Sequence, residues 1–202
     1  MSLTIYIAAE DRLGIATLER IIRSEIKNCE IQRILPSVRL SGNQPLRQRV
    51  QNFRKAALAG CYYIVLTDLD DGACPLELLE QWGVLPLPVN LLFRVAVREI
   101  EAWLLGDRSN MSKLLGIKPA LVNAYPEQLL DPKAELIKLA SKGNAKIRKQ
   151  LLPEKGAFGK IGPSYNDVLS AFIDTQWDYR SASLNVPSLH RFLGRLSNFA
   201  TK

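Results

Sequence analysis

Two aspartates, Asp68 and Asp70, stand two residues apart where the apolar run "YYIVLT" (62–67) stops, and Asp71 follows at once. Alternation along an extended chain puts residues i and i+2 on the same side, so an Asp-x-Asp at a strand end presents two carboxylates together. Glu10 and Asp11 close another apolar run, "LTIYIAA" (3–9), and Glu99 and Glu101 follow a third, "LLFRVAV" (91–97). Clustered carboxylates raise one another's pKa unless a cation neutralises them. Mg²⁺ takes oxygen ligands, keeps several waters and leaves room for substrate phosphates. The pattern therefore predicts a Mg²⁺ site at Asp68 and Asp70. A second reading stands beside it: "DLDDG" (68–72) also has the composition of a turn that caps a following helix.

Competing motifs fit less well. An EF-hand fails because Gly72 replaces a ligand and Leu79 stands where the bidentate Glu belongs. A dehalogenase-type phosphatase would carry its Asp-x-Asp on the first strand and Thr at the position of Gly72. The chain has 202 residues, short for a sugar-nucleotide glycosyltransferase. His190 is the sole histidine, which excludes histidine-ligand clusters and disfavours a Ser-His or Cys-His pair. Cys29, Cys61 and Cys74 are odd in number and lack CxxC spacing, which argues against a disulfide framework or zinc. "GKIG" (159–162) is too short for a phosphate loop, and Tyr165 reads as a packing residue at a helix start.

The elements that must position the carboxylates alternate. Strands are predicted at 3–9, 31–40, 62–67 and 91–97, the second weakened by Pro36. Helices are predicted at about 12–28, through "LRQRVQNFRKAALAG" and "PLELLEQWG", and in "REIEAWLLGD" (98–107). In the last of these, Ile100, Trp103 and Leu104 form an apolar stripe expected to bury against the sheet, and Glu99 occupies the first turn. Such alternation predicts an α/β fold, a mainly parallel sheet with helices on both faces and sites at the carboxyl ends of its strands. Residues 108–202 read as short helices separated by Gly and Pro. The expected division is thus an α/β core (1–107) and a basic helical C-terminal lobe (108–202) packed on it.

Charge divides the chain at the same place. Residues 1–107 hold 12 Lys and Arg against 13 Asp and Glu, whereas residues 108–202 hold 15 against 7. Lys138, Lys142, Lys146, Arg148 and Lys149 lie in the densest stretch and are the candidate nucleic-acid contacts. A solvated helical face is the plainer reading of the same run. No apolar run approaches the ~20 residues of a membrane span. The start "MSLTIYIAAEDRLG" reads as a strand rather than a signal peptide, so a soluble cytoplasmic protein is expected.

Taken together, "YIVLTDLDD", "REIEAWLLGD", "DPKAELIKLA", "GPSYNDVLSAF" and "WDYRSASLNVPSLHRFLGRL" resemble the Toprim domain of topoisomerases, primases and overcoming-lysogenization-defect nucleases. More closely, the chain resembles a Toprim-related bacterial family of unknown function, often encoded beside AAA-type ATPases in defence-like gene neighbourhoods. The resemblance spans about residues 3–197. It implies a nuclease acting on DNA or RNA, with Asp68 and Asp70 holding Mg²⁺ or Mn²⁺, Glu10 assisting proton transfer, and Glu99 or Glu101 completing the site. It also implies an ATPase partner. Members commonly show Glu-Gly and then Thr-Glu after the first strand, where this chain has Glu10-Asp11-Arg12-Leu13-Gly14. Two other functions compete: a non-catalytic module docking the ATPase, and a phosphatase or nucleotidyl transferase acting on a small substrate.

Overall fold

The structure is a computed structural model and describes residues 2–34, 44–154, 156 and 158–199. The chain divides into two compact units: residues up to Val97 together with those from His190 on, and Arg98–Leu189.

The first unit alternates strand and helix: β1 (Leu3–Ala9), α1 (Arg12–Glu25), β2 (Cys29–Ile34), α2 (Gln44–Leu58), β3 (Tyr62–Asp68), α3 (Pro75–Gln81) and β4 (Leu91–Ala96). The four strands form a parallel sheet in the order β2-β1-β3-β4, with Ala9 opposite Leu66 and Asp68 opposite Ala96. Parallel strands need crossover helices, and these cover both faces here, which is why β3 and β4 read as nearly continuous apolar runs. On one face Ala8, Val65, Phe93 and Val95 bury against Val50 and Phe53 of α2 and Leu78 and Trp82 beyond it. Pleating turns Ala9 and Leu66 to the other face, where α1 lies. Its Gly14 approaches so closely that a Cβ there would stand 2.7 Å from that of Ala9. Asp11 starts this helix as its N-cap, accepting the Gly14 N–H at 2.8 Å. The remainder of the expected 31–40 strand, and residues 41–43 of the loop after it, lie outside the described residues.

The second unit is helical: α4 (Ile100–Leu105), α5 (Arg108–Leu115), α6 (Pro132–Ser141), α7 (Ala145–Leu151), α8 (Tyr165–Thr175) and α9 (Tyr179–Ser183). Asp107, Asp131, Asn144 and Asp178 each cap a helix start by accepting backbone N–H groups. Asp107 is buried and does more: its Oδ2 also accepts the Asp178 N–H at 2.8 Å. The unit begins earlier than the charge boundary at Asp107, and α4 shows why. All six of its residues are buried, and it packs against α6 and α9. Trp103 donates its indole N–H to Ser188 at 2.7 Å, so this tryptophan is a member of the helical unit. The last helix, α10 (Pro187–Phe199), starts in the second unit and continues into the first, where Phe199 meets Tyr62 edge-on at 5.6 Å. No helix among the described residues is long and apolar enough to cross a membrane.

Candidate functional site

β1 has β2 on one side and β3 on the other, so the chain leaves these two central strands toward opposite faces of the sheet. A crevice opens at such a switch point, outside the carboxyl ends of the strands. Glu10, one residue beyond β1, and Asp68, the last residue of β3, both stand there.

Glu10 is bound to the end of β3 by two hydrogen bonds that converge on Oε1. The buried Thr67 hydroxyl donates one, and the Asp68 N–H donates the other at 3.0 Å. Burial pushes the Glu10 carboxyl above its ordinary range against the pull of these two donors, and the negative charges of Asp70 and Asp11 push it further. The site thus holds neighbouring carboxylates whose repulsion a cation would relieve.

The loop after β3 fixes the position of Asp70. Leu69 is buried in the core, and its N–H donates to the Ala96 carbonyl at 2.9 Å. The Gly72 N–H returns to the Leu69 carbonyl at 2.9 Å, closing a tight turn. Asp70 pays for that turn with a left-handed backbone, φ 49°. A Cβ on Gly72 would stand 2.8 Å from the Leu69 oxygen, so glycine is required. "DLDDG" is therefore a turn, as its composition suggests, but not a helix cap: α3 starts at Cys74 with no side-chain capping bond. Asp70 and Asp71 are exposed and line a cleft of about 310 Å³ with Arg47, Cys74, Glu77 and Trp82.

Among the described residues, no three Asp, Glu, His or Cys side chains are grouped so as to hold a metal ion. A closed protein cage is thus not what these residues form. Mg²⁺ is commonly held by one or two carboxylates, with water and substrate phosphate completing its shell. Glu10 and Asp70, close enough for each charge to be felt by the other, fit an open site of that kind.

Glu99 and Glu101 belong to the second unit, and there they meet partners that the sequence did not reveal. Glu99 accepts the Lys133 backbone N–H at 2.9 Å and its ammonium at 3.4 Å. Glu101 is fully buried, accepts the Tyr165 hydroxyl at 2.9 Å and faces the Lys133 ammonium at 3.5 Å. Its Oε2 has no hydrogen-bond partner among the described residues. Burial drives the Glu101 carboxyl up to about 7; the Lys133 charge opposes this and Glu99 adds to it. A pocket of about 620 Å³ opens beside Lys133, lined also by Glu99, Ile137, Lys138, Ser141 and Lys160.

The five basic candidates Lys138, Lys142, Lys146, Arg148 and Lys149 are all exposed, on α6, at its C-terminus and on α7. Lys138 forms a 2.8 Å ion pair with Glu135. Three participants escaped the sequence reading: Thr67, Lys133 and Tyr165. Thr67 left a signal, a lone hydroxyl inside an apolar run directly before the aspartates. Lys133 and Tyr165 left none, since their roles arise from helices distant in sequence. Comparison of the chain with protein-family models, with curated proteins and with solved structures finds no match.

Proposed function

We propose that the protein is a Toprim-like, Mg²⁺- or Mn²⁺-dependent nuclease that hydrolyses phosphodiester bonds in DNA or RNA. One observation carries this reading: Glu10 is locked to the end of β3 by Thr67 and Asp68 while sharing its surroundings with the charge of Asp70. Asp68 and Asp70 would hold the cation beside Glu10. When bound, such an ion supplies neutralisation of phosphate charge and a more acidic water. Glu10, with a raised carboxyl and one oxygen anchored by two donors, is suited to hold or release a proton there. The exposed cations of α6 and α7 would bind backbone phosphates independently of sequence. Glu99 and Glu101 hold Lys133 and Tyr165 and take no step in this assignment.

The test is calorimetric titration of Mn²⁺ into the native protein and an Asp68→Ala/Asp70→Ala variant, with plasmid and RNA cleavage measured on the same samples. Metal binding and cleavage lost together in the variant support the assignment. Equal metal binding by both proteins, or no binding by either and no cleavage, leaves "DLDDG" as a turn alone.

A further inference from the structure

Arg94 lies on β4, on the pleat face of Leu92 and Ala96, half-buried within an otherwise apolar strand. Its Nε is shielded from solvent and has no hydrogen-bond partner among the described residues. The groups that act on its charge are two further arginines, Arg195 and Arg191, one turn apart on α10. Burial, then these like charges, draws the Arg94 guanidinium below its ordinary pKa. Three guanidiniums brought together, one with a buried unused donor, repel each other and leave a directional N–H unsatisfied. The arrangement costs stability unless an anion completes it.

A pocket of about 310 Å³ opens on this cluster, lined by Arg94, Arg195 and Asn198 on its polar side and by Leu87, Leu92 and Phe199 on its apolar side. It sits toward the amino end of β4, whereas the carboxylate crevice lies at the carboxyl ends of the strands. Arg94 pairs with Leu66, two residues before Asp68, and none of Glu10, Asp68 and Asp70 lines the pocket. The pocket is thus a site of its own.

We infer that this pocket binds a phosphate monoester, with the phosphate dianion on Arg94 and Arg195 and an apolar or planar body against Phe199 and the leucines. Guanidinium forks match phosphate oxygens bidentately. A monoester carries about −1.5 to −2 at neutral pH and so offsets more of the cluster's charge than a carboxylate or an internal diester. The phosphate has two sources with the same chemistry, a free mononucleotide or the 5′-phosphorylated end of a strand.

The experiment is calorimetric titration of the full chain with AMP, adenosine, acetate, and one short oligonucleotide bearing either a 5′-phosphate or a 5′-hydroxyl. Arg195→Glu is the decisive variant because Arg195 is exposed and its replacement leaves the core intact. Arg94→Met keeps most of the side-chain volume, and Lys55→Glu, at an exposed position of α2, controls for general charge. AMP should bind, adenosine and acetate should not, and Arg195→Glu should weaken AMP about tenfold or more while Lys55→Glu leaves it unchanged. Tighter binding of AMP than of the 5′-phosphorylated strand identifies the free nucleotide as the source, and the reverse order identifies the strand end. Equal AMP affinity in the native protein and Arg195→Glu overturns the inference. So does no AMP binding at millimolar concentration, or acetate binding as tightly as AMP.

Discussion

Glu10 and Asp68 are far apart in sequence, yet Oε1 of Glu10 accepts the Asp68 backbone N–H at 3.0 Å. The bond ties the exit of β1 to the exit of β3. It also makes the side chain of one strand end depend on the backbone of the next, so the geometry of "DLDDG" and the state of Glu10 vary together.

Thr67→Val tests that dependence. Valine keeps the volume and β propensity but removes the hydroxyl that donates to Glu10. Loss of a donor to a largely buried carboxylate should cost about 1–3 kcal/mol in urea denaturation at neutral pH. The Glu10 carboxyl should rise further, because one of the two hydrogen bonds that lower it is gone. Native-like stability in Thr67→Val would mean that this hydroxyl contributes nothing to the strand end.

Asp70→Gly separates stability from metal binding. Asp70 holds a left-handed backbone that glycine adopts without steric cost, and its charge also repels Glu10. The variant should be as stable as the native protein or up to about 1 kcal/mol more stable. Its Mn²⁺ affinity should fall at least tenfold. Destabilisation on this substitution would show that the Asp70 side chain holds the turn.

Glu101 predicts a pH dependence of defined sign. Its carboxyl stands at about 7 in the folded chain, above the ordinary unfolded value. The folded state therefore binds this proton more tightly than the unfolded state does. The stabilising contribution is full below about pH 4.3 and is lost as pH rises through about 7, on the order of 3 kcal/mol in all. In Glu101→Gln this part of the slope should vanish, measured by chemical denaturation from pH 5 to pH 8. An unchanged slope would place the titration elsewhere.

The exposed cations of α7 predict a salt signature. If Lys146, Arg148 and Lys149 each contact a phosphate, the plot of log affinity against log salt for duplex DNA steepens by about 0.9 per contact. Substituting each by Gln should remove about one contact's worth of slope at every DNA sequence tested. A slope that survives all three substitutions would identify α7 as a solvated face.

The alternation of apolar runs with amphipathic helices, and acid at the ends of those runs, is local information. It was enough to predict a mainly parallel α/β sheet and the span Leu3–Ala9 residue for residue. Strand order is not written locally, but crossover chemistry and the burial of both sheet faces leave few alternatives. What only the tertiary structure decided are contacts between segments whose sequences do not signal one another. Glu101 lies outside the stripe of Ile100, Trp103 and Leu104 that is expected to bury. It is fully buried instead, because Tyr165, 64 positions later, brings a hydroxyl to it and Lys133 brings a charge. Arg94 reads as the one polar break in β4, and α10 returns from far along the chain to place two more arginines near it. Both outcomes have the same physical cause. Periodicity reports which face of an element is buried, while the partner of a buried charge is set by whichever distant element covers that face.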